Sequence, residues 1–210
     1  MKRILIFMAM AATTLMAACS SEKQQDSSSA ALDVIMSRTS IRSFTGDPVS
    51  KEQLELILKA GMAAPSAMNS QPWRFVVVTD KTRIEEIFCN GPRSGMFKTA
   101  GAVIVVCGET TSMRKPFGQP DAPEEEMENK FWFEDCSAAA QNILLAVKAL
   151  GLGAVWTAGY PAMERVASVA EALGLPEKVV PLCVIPVGVP AEDPTPKDKW
   201  NPSNIHWDKW

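Results

Sequence analysis

One histidine, His206, stands in 210 residues. It has no histidine partner and no ligand spacing around it, so the sequence offers no histidine-built metal centre. It lies in an aromatic tail and reads as a packed residue rather than a general base. The five cysteines contain no Cys-x-x-Cys pair, and Cys107 and Cys183 fall inside apolar runs where small buried thiols are common. Positive charge is not in excess: 21 Lys and Arg face 24 Asp and Glu, a net charge of −3. A nucleic-acid protein would carry a basic face, so that class is excluded. A dinucleotide fingerprint is also missing, because Gly151 and Gly153 lack the third glycine and precede a strand instead of following one. What is present, 47% hydrophobic and 21% charged residues, suits one folded domain with a sizeable core.

The first residues read as an export signal. Lys2 and Arg3 precede the uncharged run Ile4 to Leu15, and Ala17 and Ala18 precede Cys19. The run is shorter than the ~20 residues that a bilayer span needs. Ala-Ala-Cys resembles a bacterial lipoprotein signal with Cys19 as the lipidated residue, although Met16 stands where such signals usually carry Leu. The other reading is a plain secretory signal. The expected organisation is a signal peptide over 1–18, a polar tether over 19–31 and a folded domain over 32–210. The expected location is outside the cytoplasm, anchored to a membrane.

Within the domain, helical and extended segments alternate. A short helix is expected from Leu32 to Met36. Ser50 to Gln53 has capping-box spacing, with Leu54, Ile57, Leu58 and Met62 following at helical intervals. Arg74–Thr79, Ala102–Cys107, Val155–Thr157 and Val179–Val189 read as strands. Pro181 and Pro186 place the last at an edge or require a bulge. Glu124–Glu126 reads as the solvated start of a helix. A nearly uncharged helix spans Glu134 to Leu150 and stops at Gly151, and so belongs in a large core or between subunits. Another opens at Pro161 and ends at Gly174. The architecture is α+β or α/β. The tail Lys197–Trp210 holds Trp200, Trp207 and Trp210, large aromatics that are expected to cover another surface.

Several clusters could carry chemistry. In an extended Arg38-Thr39-Ser40-Ile41-Arg42, alternate side chains share a face. Two guanidiniums flanking a hydroxyl then suit a phosphate, while the plainer reading is a solvated basic segment. Pro65 to Trp73 is a loop whose Ser66, Asn69, Ser70 and Gln71 can donate and accept as a flavin edge requires, or simply brace a turn. Ala158 and Gly159 end a strand ahead of a helix, where backbone N–H groups can face a ligand. Three adjacent aromatics, Phe131-Trp132-Phe133, read by default as core packing.

In order and spacing, Arg-Thr-Ser-Ile-Arg, Pro-Ser-x-x-Asn-Ser-Gln-Pro-Trp, Gly-Leu-Gly-Ala-Val-Trp and the late pair Lys197 and Lys199 resemble the FMN-dependent nitroreductase family over essentially Leu32 to Trp210. The resemblance implies an α+β three-layer fold, a central mixed or antiparallel sheet flanked by helices, in an intertwined homodimer with FMN at the interface. It places Arg38, Ser40, Lys197 and Lys199 on the FMN phosphate, with Thr39 in the same run, and Arg42 by the pyrimidine end. Pro65, Ser66, Ala67 and Asn69 would approach from the partner subunit. The Ala158 or Gly159 amide would meet flavin N5, Arg93 the pyrimidine edge, and the Phe131–Phe133 region could cover the flavin with an aromatic facing the substrate. The implied reaction is ping-pong hydride transfer from NAD(P)H or another donor, through flavin N5, to an electron-poor acceptor such as a nitroaromatic or quinone. The flavin carries that chemistry, so no catalytic side chain is expected. Export sits awkwardly with NAD(P)H supply, which keeps open a flavin-binding lipoprotein without turnover, or a specialised reductase or dehalogenase of the same superfamily. Mass spectrometry of the mature N-terminus tests the anchor: diacylglyceryl on Cys19 is expected, and a chain with an unmodified or absent Cys19 would contradict it.

Overall fold

The computed structural model describes residues 29–91 and 94–210. The signal peptide, the tether up to residue 28 and Arg93 lie outside the described residues. Residues 29–37 form a helix, α1, which takes in the last residues expected of the tether and the expected Leu32–Met36 helix. The chain up to Arg38 is one compact unit and Thr39–Trp210 another.

In the second unit, α2 (Lys51–Met62) begins with the expected capping box: Ser50 Oγ accepts from the Gln53 amide and Gln53 Oε1 accepts from the Ser50 amide. Leu54 and Ile57 are buried, whereas Met62 is 54% exposed. Gly61 takes the buried place, because a Cβ there would lie 2.9 Å from Ile143 Cγ1. Strand β1 (Trp73–Val78) pairs antiparallel with β2 (Ala102–Glu109). Between them lie α3 (Lys81–Phe88), capped by Asp80, and the short α4 (Ser94–Lys98). The hairpin β3 (Thr111–Arg114) and β4 (Glu125–Glu128) occupies the region where the acidic run was expected to open a helix. Thr111 and Lys178 both donate to Glu126, a cross-strand arrangement that propensity alone does not reveal.

Helix α5 (Trp132–Ala149) ends before Gly151, whose φ of 72° suits the left-handed stop expected there. The expected Val155–Thr157 strand is instead two two-residue pieces, β5 (Gly153–Ala154) and β6 (Thr157–Ala158). Helix α6 (Met163–Leu173) starts two residues later than expected, after a turn in which the Ala162 amide donates to the Gly159 carbonyl. It stops at Gly174, with φ 63°. Strand β7 (Val179–Gly188) is central, not an edge: the order is β1-β2-β7-β5, β6 also pairs with β7, and every pairing is antiparallel. The bulge alternative holds. Cys107 faces Pro181 and Val106 faces Cys183, leaving Leu182 over.

The run Ala102–Cys107 is buried on both faces. Ala102, Ile104 and Val106 join α2 and α5 in one cluster, while Val103, Val105 and Cys107 join residues of α3, α4 and α6 in another. The result is the expected three-layer α+β fold.

Burial pushes the Cys107 and Cys136 thiols up to about 12, from an ordinary 9.0, and raises the Cys183 thiol well above that ordinary value too. The fold therefore keeps these thiols neutral while the unfolded chain ionises them near pH 9. The unfolded state then binds fewer protons, and stability falls as pH rises from 9 toward 12. Thermal unfolding from pH 8 to 11 should show that fall, and Cys107→Ala with Cys136→Ala should flatten it. An identical alkaline slope in the variant would contradict the assignment.

Candidate functional site

The segment Thr39–Thr45 has no regular structure of its own but is fastened to the sheet. The Ile41 amide donates to the Ala154 carbonyl at 3.0 Å, and its buried side chain fills the space beside Gly153, where a Cβ would lie 2.8 Å from Ile41 Cβ. Phe44 bridges Pro190, Thr45 donates to the Val189 carbonyl and Ala191 donates to the Ser43 carbonyl. Glu192, which the sequence reading missed, accepts the amides of Arg42 at 2.5 Å and Ser43 at 3.2 Å through Oε1. Thr39 and Ser40 are half-buried beside Ile41, and Arg42 is exposed. Arg38 closes the first unit, its amide donating to the Val34 carbonyl. Lys197 and Lys199 are exposed in the C-terminal arm, a few residues beyond Glu192. Among the described residues no hydrogen bond ties them to Thr39, Ser40 or Arg42. The arm also exposes Trp200, Trp207 and Trp210, by 73%, 82% and 97%.

The second element is the loop Pro65–Pro72, which carries Pro65, Ser66, Ala67 and Asn69. Met68, Asn69 and Gln71 have φ of 52°, 55° and 46°, left-handed values that cost about 1–2 kcal/mol each for residues with a Cβ. Compensating bonds surround them. Ser66 Oγ accepts the Gln71 amide at 3.1 Å, and Asn69 Oδ1 accepts Gln71 Nε2 at 2.8 Å. Asp135, buried in the first turn of α5, accepts the Ala67 amide and the Ser70 hydroxyl. Arg74 donates to the Gln71 and Trp73 carbonyls while paired with Glu109 at 2.6 Å. Met68 and Asn69 remain exposed at the tip. Between this loop and the β3–β4 hairpin lies a cavity of about 430 Å³, lined by Ala67, Met68, Arg114, Met127 and Phe131. The hairpin is held down by Asn129, whose side chain donates to the Glu109 carbonyl and accepts from Ser112.

The third element is the turn after β6. The amides of Gly159 and Tyr160 both donate to the Leu182 carbonyl, at 2.9 and 3.0 Å. That carbonyl belongs to the extra residue of the β7 bulge. A Cβ at Gly159 would lie 2.9 Å from the Pro181 oxygen, so glycine is required for this approach. The Gly159 N–H is thus engaged inside the protein, so of the two amides expected as alternatives for flavin N5, Ala158 is the one this bond does not occupy. The Ala158 carbonyl accepts from Arg165 at 3.4 Å, and Ala158 and Gly159 line a cavity of about 370 Å³ with Phe88, Asn90, Phe97 and Arg165. Tyr160 packs edge-on against Trp132, with ring centroids 5.1 Å apart, and near Phe133 at 5.5 Å. Of the aromatic triplet, Trp132 therefore packs inward over Gly108, while Phe131 and Phe133 keep exposed faces. The first turn of α5 touches both ligand-facing candidates: the 65–72 loop through Asp135 and the 158–160 turn through its rings.

Comparison with known proteins agrees with this architecture. The family model described as the nitroreductase family matches residues 35–94 and 88–189. A protein of Methanothermobacter thermautotrophicus, provisionally named NADH dehydrogenase/NAD(P)H nitroreductase, is 40% identical over 85% of this chain and 87% of its own length. A solved structure from Bacteroides thetaiotaomicron, under the same provisional name, superposes with a TM-score of 0.75 at 41% identity, covering 86% of this chain and 98% of that one. The FMN-dependent nitroreductase of Clostridium difficile superposes at 0.71 with 26% identity, over 85% and 99%. With the motifs, the three-layer sheet and these matches in agreement, the chain belongs to the nitroreductase family.

Proposed function

We propose that the protein is an FMN-dependent oxidoreductase that takes electrons from NAD(P)H, or another donor, and passes them to an electron-poor acceptor such as a nitroaromatic or quinone. The observation that carries this reading is the pairing of Ser43–Thr45 with Val189–Ala191. It starts the arm bearing Lys197 and Lys199 at the segment bearing Ser40 and Arg42, so two basic clusters far apart in sequence leave from the C-terminal end of β7. Their chemistry fits a dianionic phosphate: guanidinium and ammonium donors with a hydroxyl between them. Arg38, Ser40, Lys197 and Lys199 would hold the phosphate, with Thr39 beside them. Arg42 would lie by the pyrimidine, where positive charge favours the anionic reduced ring. The Ala158 amide, with Gly159 holding its backbone against β7, would face the reactive edge.

When bound, FMN supplies a hydride-accepting N5 atom and returns the electrons to the acceptor. The protein's part is to bind it, orient it and shield it. Pro65, Ser66, Ala67 and Asn69 would cover the flavin of a second copy of the chain. The exposed arm tryptophans, together with Leu56 and Met62 on α2, provide the apolar surface that a homodimer would bury. Arg93, outside the described residues, would reach the pyrimidine. The acceptor would enter beside Phe131 and Phe133.

The signal-like Met1–Cys19 supports a second reading, flavin binding without turnover, because NAD(P)H is not ordinarily supplied outside the cytoplasm. Anaerobic reduction separates the two. Purified protein should be yellow with an FMN spectrum and bleach under NADH or NADPH, and Arg38→Ala and Arg42→Ala should weaken FMN binding about tenfold or more while the apoprotein melts unchanged. A bound flavin that no donor reduces would favour the carrier. A colourless protein that refuses added FMN would contradict both, and parallel loss of binding and stability would reduce the arginines to structural ion pairs.

A further inference from the structure

The first turn of α5 holds a carboxylate to which the flavin reading gives no task. Asp135 is 7% exposed, and both of its oxygens face the Pro65–Pro72 loop. Oδ1 accepts the Ala67 amide at 2.9 Å and Oδ2 accepts the Ser70 hydroxyl at 3.1 Å. The residues between these two donors include Met68 and Asn69, both left-handed, and Gln71 just beyond is left-handed as well. Such a backbone persists only where its surroundings hold it. The bonds from Gln71 to Ser66 and Asn69 tie the loop to itself. Those tying it to the body of the protein run to Asp135 in the middle and, at the exit, to Arg74 and to the Glu109 amide, which donates to the Pro72 carbonyl. The free amides of a helix's first turn favour a negative charge at this place. The carboxylate is therefore at home on α5 while it grips the loop.

We propose that Asp135 is a positioning residue: it fixes the strained 65–72 loop in the one shape in which Ser66, Ala67 and Asn69 can meet FMN. This rests on the flavin reading of the loop, but the grip itself can be tested without flavin. Wild type, Asp135→Ala, Asp135→Asn and Ser70→Ala are compared by FMN titration, by the visible circular dichroism of the bound flavin and by hydrogen exchange of the Ala67 amide in flavin-free protein. Asp135→Ala should raise the FMN dissociation constant about tenfold or more, alter the dichroism and speed Ala67 exchange while exchange in the later turns of α5 is unchanged. Asp135→Asn should restore all three, since its amide oxygen can still accept from Ala67 and its NH₂ can donate to the Ser70 oxygen. Ser70→Ala, which leaves the carboxylate and its bond to Ala67, should cost about threefold, and it carries the test if the alanine variant does not fold. Wild-type affinity, dichroism and exchange in Asp135→Ala, or no loss of affinity in Ser70→Ala, would overturn the proposal. So would an asparagine variant as impaired as the alanine one, which would assign the effect to charge instead of shape. Wild type that takes up no FMN would overturn the flavin reading itself, whereas Ala67 exchange reports on the grip independently.

Discussion

Strand β7 is the constraint on which the other candidate segments depend. It is buried on both faces, paired on both sides, and interrupted by two prolines that cannot donate to a ladder. The bulge at Leu182 resolves the conflict and leaves one carbonyl facing away from β2, which the Gly159 and Tyr160 amides take up. At its other end the chain leaving β7 clamps Ser43–Thr45, and so fixes the segment that carries Ser40 and Arg42. Two of the three ligand-facing candidates thus hang on one strand. The third, the 65–72 loop, hangs on α5, which packs across the same sheet.

The architecture needs little irregularity beyond these places. Apolar runs buried on both sides make β2 and β7, and the paucity of charge on α5 lets it cross both the sheet and α2 at Gly61. Strain and unusual backbone gather instead in the 65–72 loop, next to a surface that would receive a ligand. Such a distribution, regular where packing decides and strained where a ligand would be met, is what a preformed site requires.

Local signals in the sequence were reliable where the physics is local. The capping box at Ser50 and the left-handed stops at Gly151 and Gly174 depend on a few neighbouring residues, and all three are present. The apolar runs located β1, β2 and β7 for the same reason. Reading failed where a distant partner decides. Glu125–Glu128 is a strand because Thr111–Arg114 lies across from it. Met62 has helical spacing, yet Gly61 is the residue buried against Ile143. In the site, the residue types were visible and their supports were not. Glu192 lies 150 residues from Arg42, and Asp135 lies 68 from Ala67, so no spacing rule connects either pair.

The central claim is that one flavin phosphate gathers the basic side chains of the Thr39–Thr45 segment and the C-terminal arm. A crystal structure of the mature protein grown with FMN tests it most directly. The account predicts the phosphate within hydrogen-bonding reach of Ser40 and the neighbouring cations, with the ring lying between the Ala158 turn of one protomer and the 65–72 loop of the other. A flavin bound elsewhere, or a dimer whose arms leave Lys197 and Lys199 in open solvent, would contradict it.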